Sequence, residues 1–524
     1  MKIKKISLFF KTIKYLKFKQ IFYRIYYFFS KKIFLDFNLT YKSIKFIKIN
    51  QFIVNKNSKL NNNEFTFLNQ SKKFDVINWN FLGYGKLWNY NLKYFNYLND
   101  IDQNYGLDLI NDYINFYKKN KNNKEPYPTS LRLINWINFL SKHSINDSNI
   151  NDTIVKDSKY LYNNIEYHLM GNHVLENSFA ILFCSYYLKS EKLYNLSRKI
   201  LFSELQEQIL SDGAHFELST MYHQILLIKI LNCIDLISNN ESWKKDRLLK
   251  DFLLEKAALM LSWNESIAYS DGSLPALNDS ARNQLRKTHD FFEYSKKLNI
   301  KWKKINLKKS GYRRWNQDKF QILIDVGQIG ASYIPGHAHA DTFNFELIYN
   351  SNPIIVDPGI STYENNNIRE IERSTNFHNT IKLNGKNSSE IWGAFRIADR
   401  ANIIDLVEEE YCIKASHDGY KKYGLVHERK FSMLRQKFII QDFIQGITNN
   451  TRIESFLHFH PKCKIQLLNN SIRVNEELII NFEGCNNFKV EEYNFPIGFN
   501  KYTSSKKIIL NTNRRSKIEI KYED

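Results

Sequence analysis

The densest group of polar side chains lies in the segment Tyr-Ile-Pro-Gly-His-Ala-His-Ala-Asp, which ends at Asp341. In an extended chain, side chains two positions apart share one face, so His337, His339 and Asp341 would project together. The small Gly and Ala residues leave space around the two imidazoles. Such a group suits metal binding or proton transfer. A structural hydrogen-bonded pair of histidines explains an HxH spacing, taken alone, equally well.

Two residues farther along could contribute to a metal site. Asp357 ends the apolar run Ile-Ile-Val and precedes Pro-Gly, and His378 lies in Ser-Thr-Asn-Phe-His-Asn-Thr. Two histidines and one aspartate would supply nitrogen and oxygen ligands to zinc, with water in the fourth position. The alternative is that Asp357 forms an Asx turn before Pro358 and that His378 packs in a sheet.

A second group of candidates lies in the first half of the chain. In Gly-Asn-His-Val-Leu-Glu, His173 and Glu176 are three positions apart and would share one helical face, with Asn172 beside them at the helix start. Asn172 could equally be only an N-cap. Tyr222, in Glu-Leu-Ser-Thr-Met-Tyr-His, is a candidate proton carrier, although most tyrosines in a chain with 32 of them serve packing.

The periodicity of apolar residues predicts the elements that position these candidates. From Leu87 to Asn299 apolar residues recur three and four apart, which predicts successive helices. The prolines of 124–130 should interrupt them, with Thr129 or Ser130 capping the next helix. The clearest helical segments are 108–118, 131–141, 177–188, 224–237 and 251–262.

Beyond Ser310 the period changes to two, which predicts an antiparallel β-sandwich. We therefore expect an α+β multidomain protein with a basic aromatic N-terminal segment (1–50), a helical domain (51–310) and a β-domain (311–524). Short later strands are expected at 437–444, 454–460, 478–482, 506–510 and 517–522.

The net charge of +21 favours an acidic partner: nucleic acid, anionic lipid or acidic polysaccharide. Lys- and Asn-rich runs are also what an AT-rich genome produces, so charge alone does not choose among them. We expect no nucleic-acid binding, because no recognition motif accompanies the charge. Five widely spaced cysteines without a CxxC pair argue against a disulfide framework.

The first 30 residues are basic and aromatic but lack the uninterrupted apolar core of a signal peptide. We therefore expect a cytoplasmic protein, peripheral to the inner membrane if this segment forms a helix lying on an anionic membrane surface. A helix docked on the domain and a processed segment are the alternatives.

Six strings, in order, resemble the heparinase II/III-like polysaccharide lyases, and weaker likeness upstream extends the match over most of residues 60–430. The strings are GNHVLENSFA, SDGAHFELSTMYH, SDGSLPALNDS, PGHAHADTFNFEL, IIVDPGISTYE and RSTNFHNTIKLNGKNSSEIWGAFR. The resemblance implies an incomplete (α/α) toroid followed by an antiparallel β-sandwich. It implies cleavage of a uronic-acid-containing acidic polysaccharide by β-elimination.

The resemblance also implies roles for the candidates in the helical half. Asn172 or His173, with Glu176 near, would bind and neutralise the uronate carboxylate. Tyr222 would be the catalytic acid and potentially the base, and His337 the other proton-transfer group.

The same resemblance assigns His339, Asp357 and His378 to a structural zinc, with His378 facing the substrate as the alternative.

Elimination removes the C5 proton of the uronate, which is too weakly acidic while the adjacent carboxylate is fully charged, so donors must stabilise the enolate. A free tyrosine titrates near about 10, so cations would have to lower the pKa of Tyr222 before it could act as a base. Arg132, Arg373 and Arg396 are the candidates for this and for substrate binding, although each could be structural.

Two rival functions remain. A uronate C5-epimerase would return a proton to the opposite face of the same carbanion, and a non-catalytic glycan-binding scaffold would use the groove alone. We expect a lyase in a cell-surface polysaccharide pathway, because the chain lacks a clear secretion signal.

Overall fold

Two amphipathic helices, α1 (Lys2–Ile13) and α2 (Phe18–Ser30), open the chain. The computed structural model describes residues 2–30, 43–50, 53, 58–120, 124–240, 242–446 and 451–522. A small antiparallel sheet follows, formed by β1 (Lys59–Asn61), β2 (Glu64–Phe67) and β3 (Gln70–Lys73). Its Phe65 and Phe67 are fully buried in the core of the helical half.

Nine helices then build the first half of the described chain, as the three-and-four spacing predicts. They are α3 (Gly85–Tyr94), α4 (Gln103–Lys119), α5 (Pro126–Lys142), α6 (Ser148–Asn163), α7 (Asn172–Tyr187), α8 (Glu191–Gln208), α9 (Thr220–Asn240), α10 (Asp246–Ile267) and α11 (Thr288–Lys297). Asp102, Asp147 and Ser190 accept hydrogen bonds at the starts of α4, α6 and α8, and so fix those starts.

The predicted cap at Thr129 or Ser130 is wrong. Helix α5 begins three residues earlier, at Pro126, because proline fits the first turn of a helix, where no backbone N–H donor is needed. Ser130 instead lies inside the helix, where its hydroxyl donates to the carbonyl of Pro126 at 2.9 Å.

Helix α9 is long and apolar enough to cross a membrane, and no other helix in the described ranges meets that test. Most of its apolar stretch, 72%, is buried inside the fold. Its apolar character therefore has an explanation in packing, because a helix at the centre of a large core is apolar on all sides.

Antiparallel sheets form the second half, as the period of two predicts. A four-stranded sheet contains β4 (Tyr312–Gln317), β5 (Phe320–Asp325), β6 (Phe345–Tyr349) and β7 (Asn352–Ile355). A short helix, α12 (Asn367–Glu372), follows it. Next come β8 (Ile381–Leu383) and a two-stranded ribbon of β9 (Ile391–Trp392) and β10 (Arg396–Ile397).

A ten-stranded sheet includes β8 and completes this half. Its other strands are β11 (Ile403–Glu409), β12 (Cys412–His417), β13 (Val426–Leu434), β14 (Lys437–Gln445), β15 (Ile453–His458), β16 (Ile465–Leu467), β17 (Ser471–Val474), β18 (Leu478–Gly498) and β19 (Lys501–Tyr522). Ile322 and Leu347 of the smaller sheet share one core with Phe431 and Ile440 of the larger one, so the two sheets are stacked.

The last three predicted strands, 478–482, 506–510 and 517–522, lie in only two long strands, β18 and β19. Segments 506–510 and 517–522 both lie in β19, which pairs with β18 along almost its whole length. The pairing shifts register between Glu483 and Asn487, opposite the polar stretch 511–516. That interruption breaks the alternation of apolar residues, so one strand resembles two in sequence.

The two halves meet at the loop that joins α10 to α11. From this loop Asn278 donates to the carbonyl of Leu218, just before α9, at 3.2 Å, and Tyr312 of β4 donates to the same carbonyl at 3.0 Å. On the other side, the N–H of Asp279 donates to the carbonyl of His337 at 3.1 Å. The loop therefore fixes the start of α9 against the β5–β6 connection, which carries the HxH pair.

Candidate active site

Tyr222 and His337 stack on each other, with ring centroids 3.9 Å apart and ring planes 29° apart. Tyr222 is the third residue of α9, and His337 lies in the connection between β5 and β6. The side chain of His337 is 14% exposed, so the pair is reachable from solvent on one side. Two groups able to carry protons thus meet where the two halves join.

Asn172 and His173 form the first turn of α7. The imidazole Nδ1 of His173 lies 3.2 Å from Oε1 of the buried Glu166, and its ring contacts that of Tyr127 at 4.8 Å between centroids. Burial opposes the charged form of His173, but Glu166 outweighs it and raises the pKa of His173 above its usual value. The arrangement favours a cationic, partly exposed donor beside the Asn172 amide.

The orientation of His337 is set by a carboxylate. Nδ1 of His337 lies 2.8 Å from Oδ2 of Asp279, which is completely buried. Both guanidinium NH groups of Arg369 donate to Asp279, and Nε2 of His339 bonds its other oxygen at 2.8 Å. Burial opposes the charge of Asp279, but Arg369 and the two imidazoles prevail and hold its pKa well below the usual range. With Nδ1–H donating to Asp279, Nε2 of His337 keeps a free lone pair.

A second carboxylate, Glu217, lies between the two halves of the site. Its Oε2 is 3.6 Å from Nε2 of His337, and its side chain is almost fully buried. A Cβ at Gly171 would come within 2.8 Å of Oε1 of Glu217, and Gly171 has a φ of +58°, so this position requires glycine for two reasons. Burial raises the pKa of Glu217 above its usual value. The carboxyl group therefore connects the start of α7 to His337.

Tyr222 does not have the lowered pKa that the sequence argument required. Burial is the largest influence and raises the pKa of Tyr222 well above its usual value, although the Tyr363 hydroxyl and Arg369 act in the opposite direction. The phenol is consequently neutral at ordinary pH and suited to donate a proton, not to accept one.

Two of the three predicted substrate-binding arginines have hydrogen-bond partners inside the protein, and their role in substrate binding stays a prediction. Arg132 is 2% exposed and donates to Oδ2 of Asp157 at 2.7 Å inside the helical half. Arg373 is completely buried and donates to the backbone carbonyls of Ala338 and Gly393 at 3.0 Å. Both guanidinium groups are used by the protein itself, because a buried charge needs partners.

Arg396 differs from the other two arginines. It is exposed on β10, and its guanidinium lies 4.7 Å from the centre of the Trp392 ring. Its role in substrate binding stays a prediction.

Glu176 is buried, and its predicted role in substrate binding stays a prediction. It lies one turn below His173 on α7, with its side chain 1% exposed and Oε2 3.5 Å from Nζ of Lys229 on α9. Burial raises the pKa of Glu176, while Lys229 lowers it. The carboxylate therefore links α7 to α9 beneath His173.

Three residues of the β half form a group that could hold a metal ion. One ligand atom from each of Asp341, Asp357 and His378 lies within 4.8 Å of the others, and all three residues are buried. Among the described residues, Nε2 of His378 and Nδ1 of His339 are buried without a hydrogen-bond partner, and the two rings are 5.2 Å apart. Nε2 of His339 faces Asp279, which leaves the lone pair of Nδ1 available. Buried oxygen donors and free imidazole nitrogens are a donor set that suits zinc.

Four residues around the catalytic candidates were not predicted from the sequence: Glu217, Asp279 and Tyr363 lie beside His337, and Arg369 bonds Asp279. Three of them lie in strings already singled out, namely HFELSTMYH, ALNDS and DPGISTYE. Their types were visible, but nothing in local spacing indicates that a loop aspartate faces a histidine from another half of the chain.

Two family models match the chain. The heparinase II/III N-terminus model matches residues 26–302, and the heparinase II/III-like C-terminal model matches residues 299–523. Together they cover both halves of the fold and every candidate residue of the site.

Curated relatives and solved structures agree with these matches. The heparin-sulfate lyase of Bacteroides thetaiotaomicron is 26% identical over 294 residues, which is 48% of this chain and 40% of that protein. The heparin-sulfate lyase of Bacteroides stercoris is 24% identical over 361 residues, 62% of this chain and 50% of that protein. The matches thus span half or less of each relative's length.

A crystal structure of heparinase III superposes with a TM-score of 0.66 at 18% identity, covering 86% of this chain and 80% of that one. The heparan sulfate lyase HepC of Pedobacter heparinus gives 0.55 at 15% identity, covering 87% and 79%. These likenesses show a shared fold of helices followed by sheets. From the two family models, the chain belongs to the heparinase II/III-like family.

Proposed function

We propose that the chain is a polysaccharide lyase that cleaves a uronic-acid-containing acidic polysaccharide by β-elimination. The observation that carries the proposal is the stacking of Tyr222 on His337 at 3.9 Å, with Glu217 linking this pair to the start of α7. Membership of the family and curated relatives named heparin-sulfate lyases support the same reaction. The net charge of +21 would attract an anionic polymer.

In this mechanism, the amide of Asn172 and the cationic imidazole of His173 bind the uronate carboxylate. Their hydrogen bonds strengthen as negative charge moves from C5 onto the carboxylate oxygens, which stabilises the enolate. Glu166 contributes by keeping His173 protonated.

His337 is the base that removes the C5 proton, because Asp279 accepts from Nδ1 and leaves Nε2 free. The electron pair of the C5–H bond forms the C4=C5 double bond, and the C4–O bond breaks. Tyr222 gives its phenolic proton to the leaving oxygen, which suits its raised pKa. The Tyr222 phenolate then gains a proton from solvent and the His337 imidazolium releases the C5 proton to solvent, which restores both groups.

We also propose a structural zinc ion held by His339, Asp357 and His378, with Asp341 beside them. The free Nδ1 of His339 and Nε2 of His378 support this set. The ion would supply a rigid cross-link for the connection that carries His337, and no proton transfer is assigned to it.

Two finer statements belong to the same proposal. Helices α3 to α11 would form the incomplete (α/α) toroid of the family; the packing of α7 on α5, α8 and α9 supports this. The cellular role would lie in a cell-surface polysaccharide pathway, where acidic polymers are available to a basic chain.

The test is mass spectrometry of products from polymers that contain glucuronate, iduronate or mannuronate. Elimination gives one fragment with an unsaturated end, lighter by one water than the corresponding hydrolysis fragment. An epimerase would leave the chain length unchanged and incorporate deuterium at C5 in D2O. A non-catalytic scaffold would leave the chain length unchanged and incorporate no deuterium. The epimerase result or the scaffold result would contradict the proposal.

A further inference from the structure

Helices α1 and α2 are attached to both halves of the protein by one face. Nζ of Lys11 lies 2.6 Å from Oδ2 of Asp399 in the β half, and Nε1 of Trp392 donates to Thr12 at 3.0 Å. From α2, Nε2 of Gln20 donates to the carbonyl of Leu169 in the helical half at 3.2 Å. The pair of helices is therefore an ordered part of the surface and bridges the two halves.

The opposite face of α2 is a continuous exposed apolar stripe. Phe18 is 81% exposed and Phe28 is 76% exposed, whereas Gln20 on the attached face is 2% exposed. Positions three, four and seven apart share a helical face, so the exposed residues form one surface. This aromatic outer face consists of Phe9 and Phe10 of α1 and Phe18, Ile21, Phe22, Ile25, Tyr26, Phe28 and Phe29 of α2.

The charged residues of the two helices are all basic, and the acidic residues near them, such as Asp399 and Glu207, pair with lysines of the helices. The sequence has no acidic residue before Asp36, whereas Lys5 and Arg24 are exposed basic residues on the two helices. Two copies of the face would bring like charges together in a protein that already carries +21, which opposes self-association. Exposed aromatic residues bordered by lysine and arginine are instead typical of helices that lie in a bilayer surface.

We propose that the aromatic outer face of α1 and α2 docks the protein on an anionic lipid bilayer. Phenylalanine and isoleucine side chains would enter the interfacial region, and the basic residues would contact the lipid headgroups. The attached face would remain on the protein, so no rearrangement of the two halves is needed.

The proposed contact would bring the bilayer close to the candidate active site. Gln20 bonds the carbonyl of Leu169, two residues before Gly171 at the start of α7. Nζ of Lys17 lies 4.0 Å from the ring centre of Tyr333, which is four residues before His337. Docking would therefore present the candidate active site to a polymer held at the membrane surface.

The test is co-sedimentation of the full chain with vesicles of phosphatidylcholine, with and without phosphatidylglycerol, in the absence of any polysaccharide. We expect binding to require phosphatidylglycerol and to weaken in high salt, because the headgroup attraction is screened. Replacing Phe18, Phe22 and Phe28 by serine should lower the partition coefficient at least about tenfold. The matched control replaces Val407, Leu434 and Leu467, which are similarly exposed on the β half, and should bind as the unmodified chain does.

Unchanged thermal unfolding would show that the triple variant is folded. Failure of the unmodified chain to bind phosphatidylglycerol vesicles, or equal binding by both triple variants, would overturn the proposal. The proposal would also be overturned if the unmodified chain formed a dimer and did not bind vesicles, and if the Phe18, Phe22 and Phe28 triple variant lost the dimer. The aromatic outer face would then bind a second copy of the chain. Since no substrate is present, none of these outcomes depends on lyase activity.

Discussion

The ring of Tyr222 lies against the ring of His337, with 3.9 Å between centroids, although one comes from a helix of the first half and the other from a sheet connection of the second. Neither half contains both groups, so the candidate site exists only where the halves are joined. Asp279, from the loop between α10 and α11, bonds His337 and so fixes that ring at the junction.

Replacing Tyr222 by phenylalanine should abolish turnover without unfolding the protein. The ring still packs on His337, but the proton for the leaving oxygen is lost, so kcat should fall below detection, by at least about 10² to 10⁴. Steady-state kinetics and thermal unfolding measure the two effects. Tyr294, whose hydroxyl donates to Asn232 at 2.8 Å in the helical half, is the control. Its phenylalanine variant should lose some stability and keep kcat. Unchanged turnover in Tyr222→Phe would remove Tyr222 from the mechanism.

Replacing Glu166 by glutamine should shift the alkaline limit of activity to lower pH. Glu166 raises the pKa of His173, so the protonated imidazole persists to higher pH in the unmodified chain and is lost as pH rises through that raised value. Without the carboxylate, His173 loses its proton earlier. A profile of kcat/KM against pH measures the shift. An alkaline limb at the same pH in both proteins would exclude His173 as the cationic donor.

Replacing Arg132 by methionine should affect stability and not substrate binding. The change leaves Asp157 buried beside Lys124 alone, which should lower the free energy of unfolding by about 3 to 5 kcal/mol. KM should be unchanged.

By contrast, Arg396→Ala should raise KM and leave stability unaltered if the exposed guanidinium binds the polymer. Denaturant unfolding and kinetics on both variants separate the two roles.

The loss of unfolding free energy caused by Arg132→Met should become smaller at acidic pH. Burial opposes the charge of Asp157, but Arg132 and Lys124 prevail and lower its pKa. Its stabilisation is therefore present above the unfolded pKa of about 3.9 and is lost as pH falls through the folded value. A stability difference that grows as the pH is lowered would contradict this pairing.

Substituting Asp357 by asparagine or His339 by alanine should lower zinc content and thermal stability together, because metal binding contributes to folding. Elemental analysis and thermal unfolding of the purified proteins measure both. Asp341→Asn tests whether Asp341 or His339 is the third ligand beside Asp357 and His378. Unchanged zinc content in this variant would leave His339 as the third ligand. Unmodified protein that binds no added zinc would end the metal assignment.

The positions of the helices and sheets could be predicted from the periodicity of apolar residues, and the main site residues from the ordered strings. The three-and-four spacing from Leu87 to Asn299 and the alternation after Ser310 predict helices and sheets where the structure has them. Asn172, His173, Tyr222 and His337 could be chosen because their strings match a family in order. The separation of segments 506–510 and 517–522 was wrong because a shifted register interrupts the alternation inside one strand.

Burial and long-range partners could not be predicted in the same way. Arg132 and Arg373 have the residue type that binds carboxylates, but nothing near them in sequence indicates that Asp157 or backbone carbonyls already use their donors. Asp279 lies in a loop without periodicity, and its contact with His337 depends on how the two halves pack.

Ultraviolet absorbance of the C4=C5 double bond, followed over time on a panel of acidic polysaccharides, tests the central claim most directly. We expect absorbance to rise with at least one uronate-containing polymer for the unmodified chain, and to stay flat for Tyr222→Phe and for His337→Gln. Turnover of a polymer without new absorbance, or equal rates in the unmodified chain and both variants, would contradict the account.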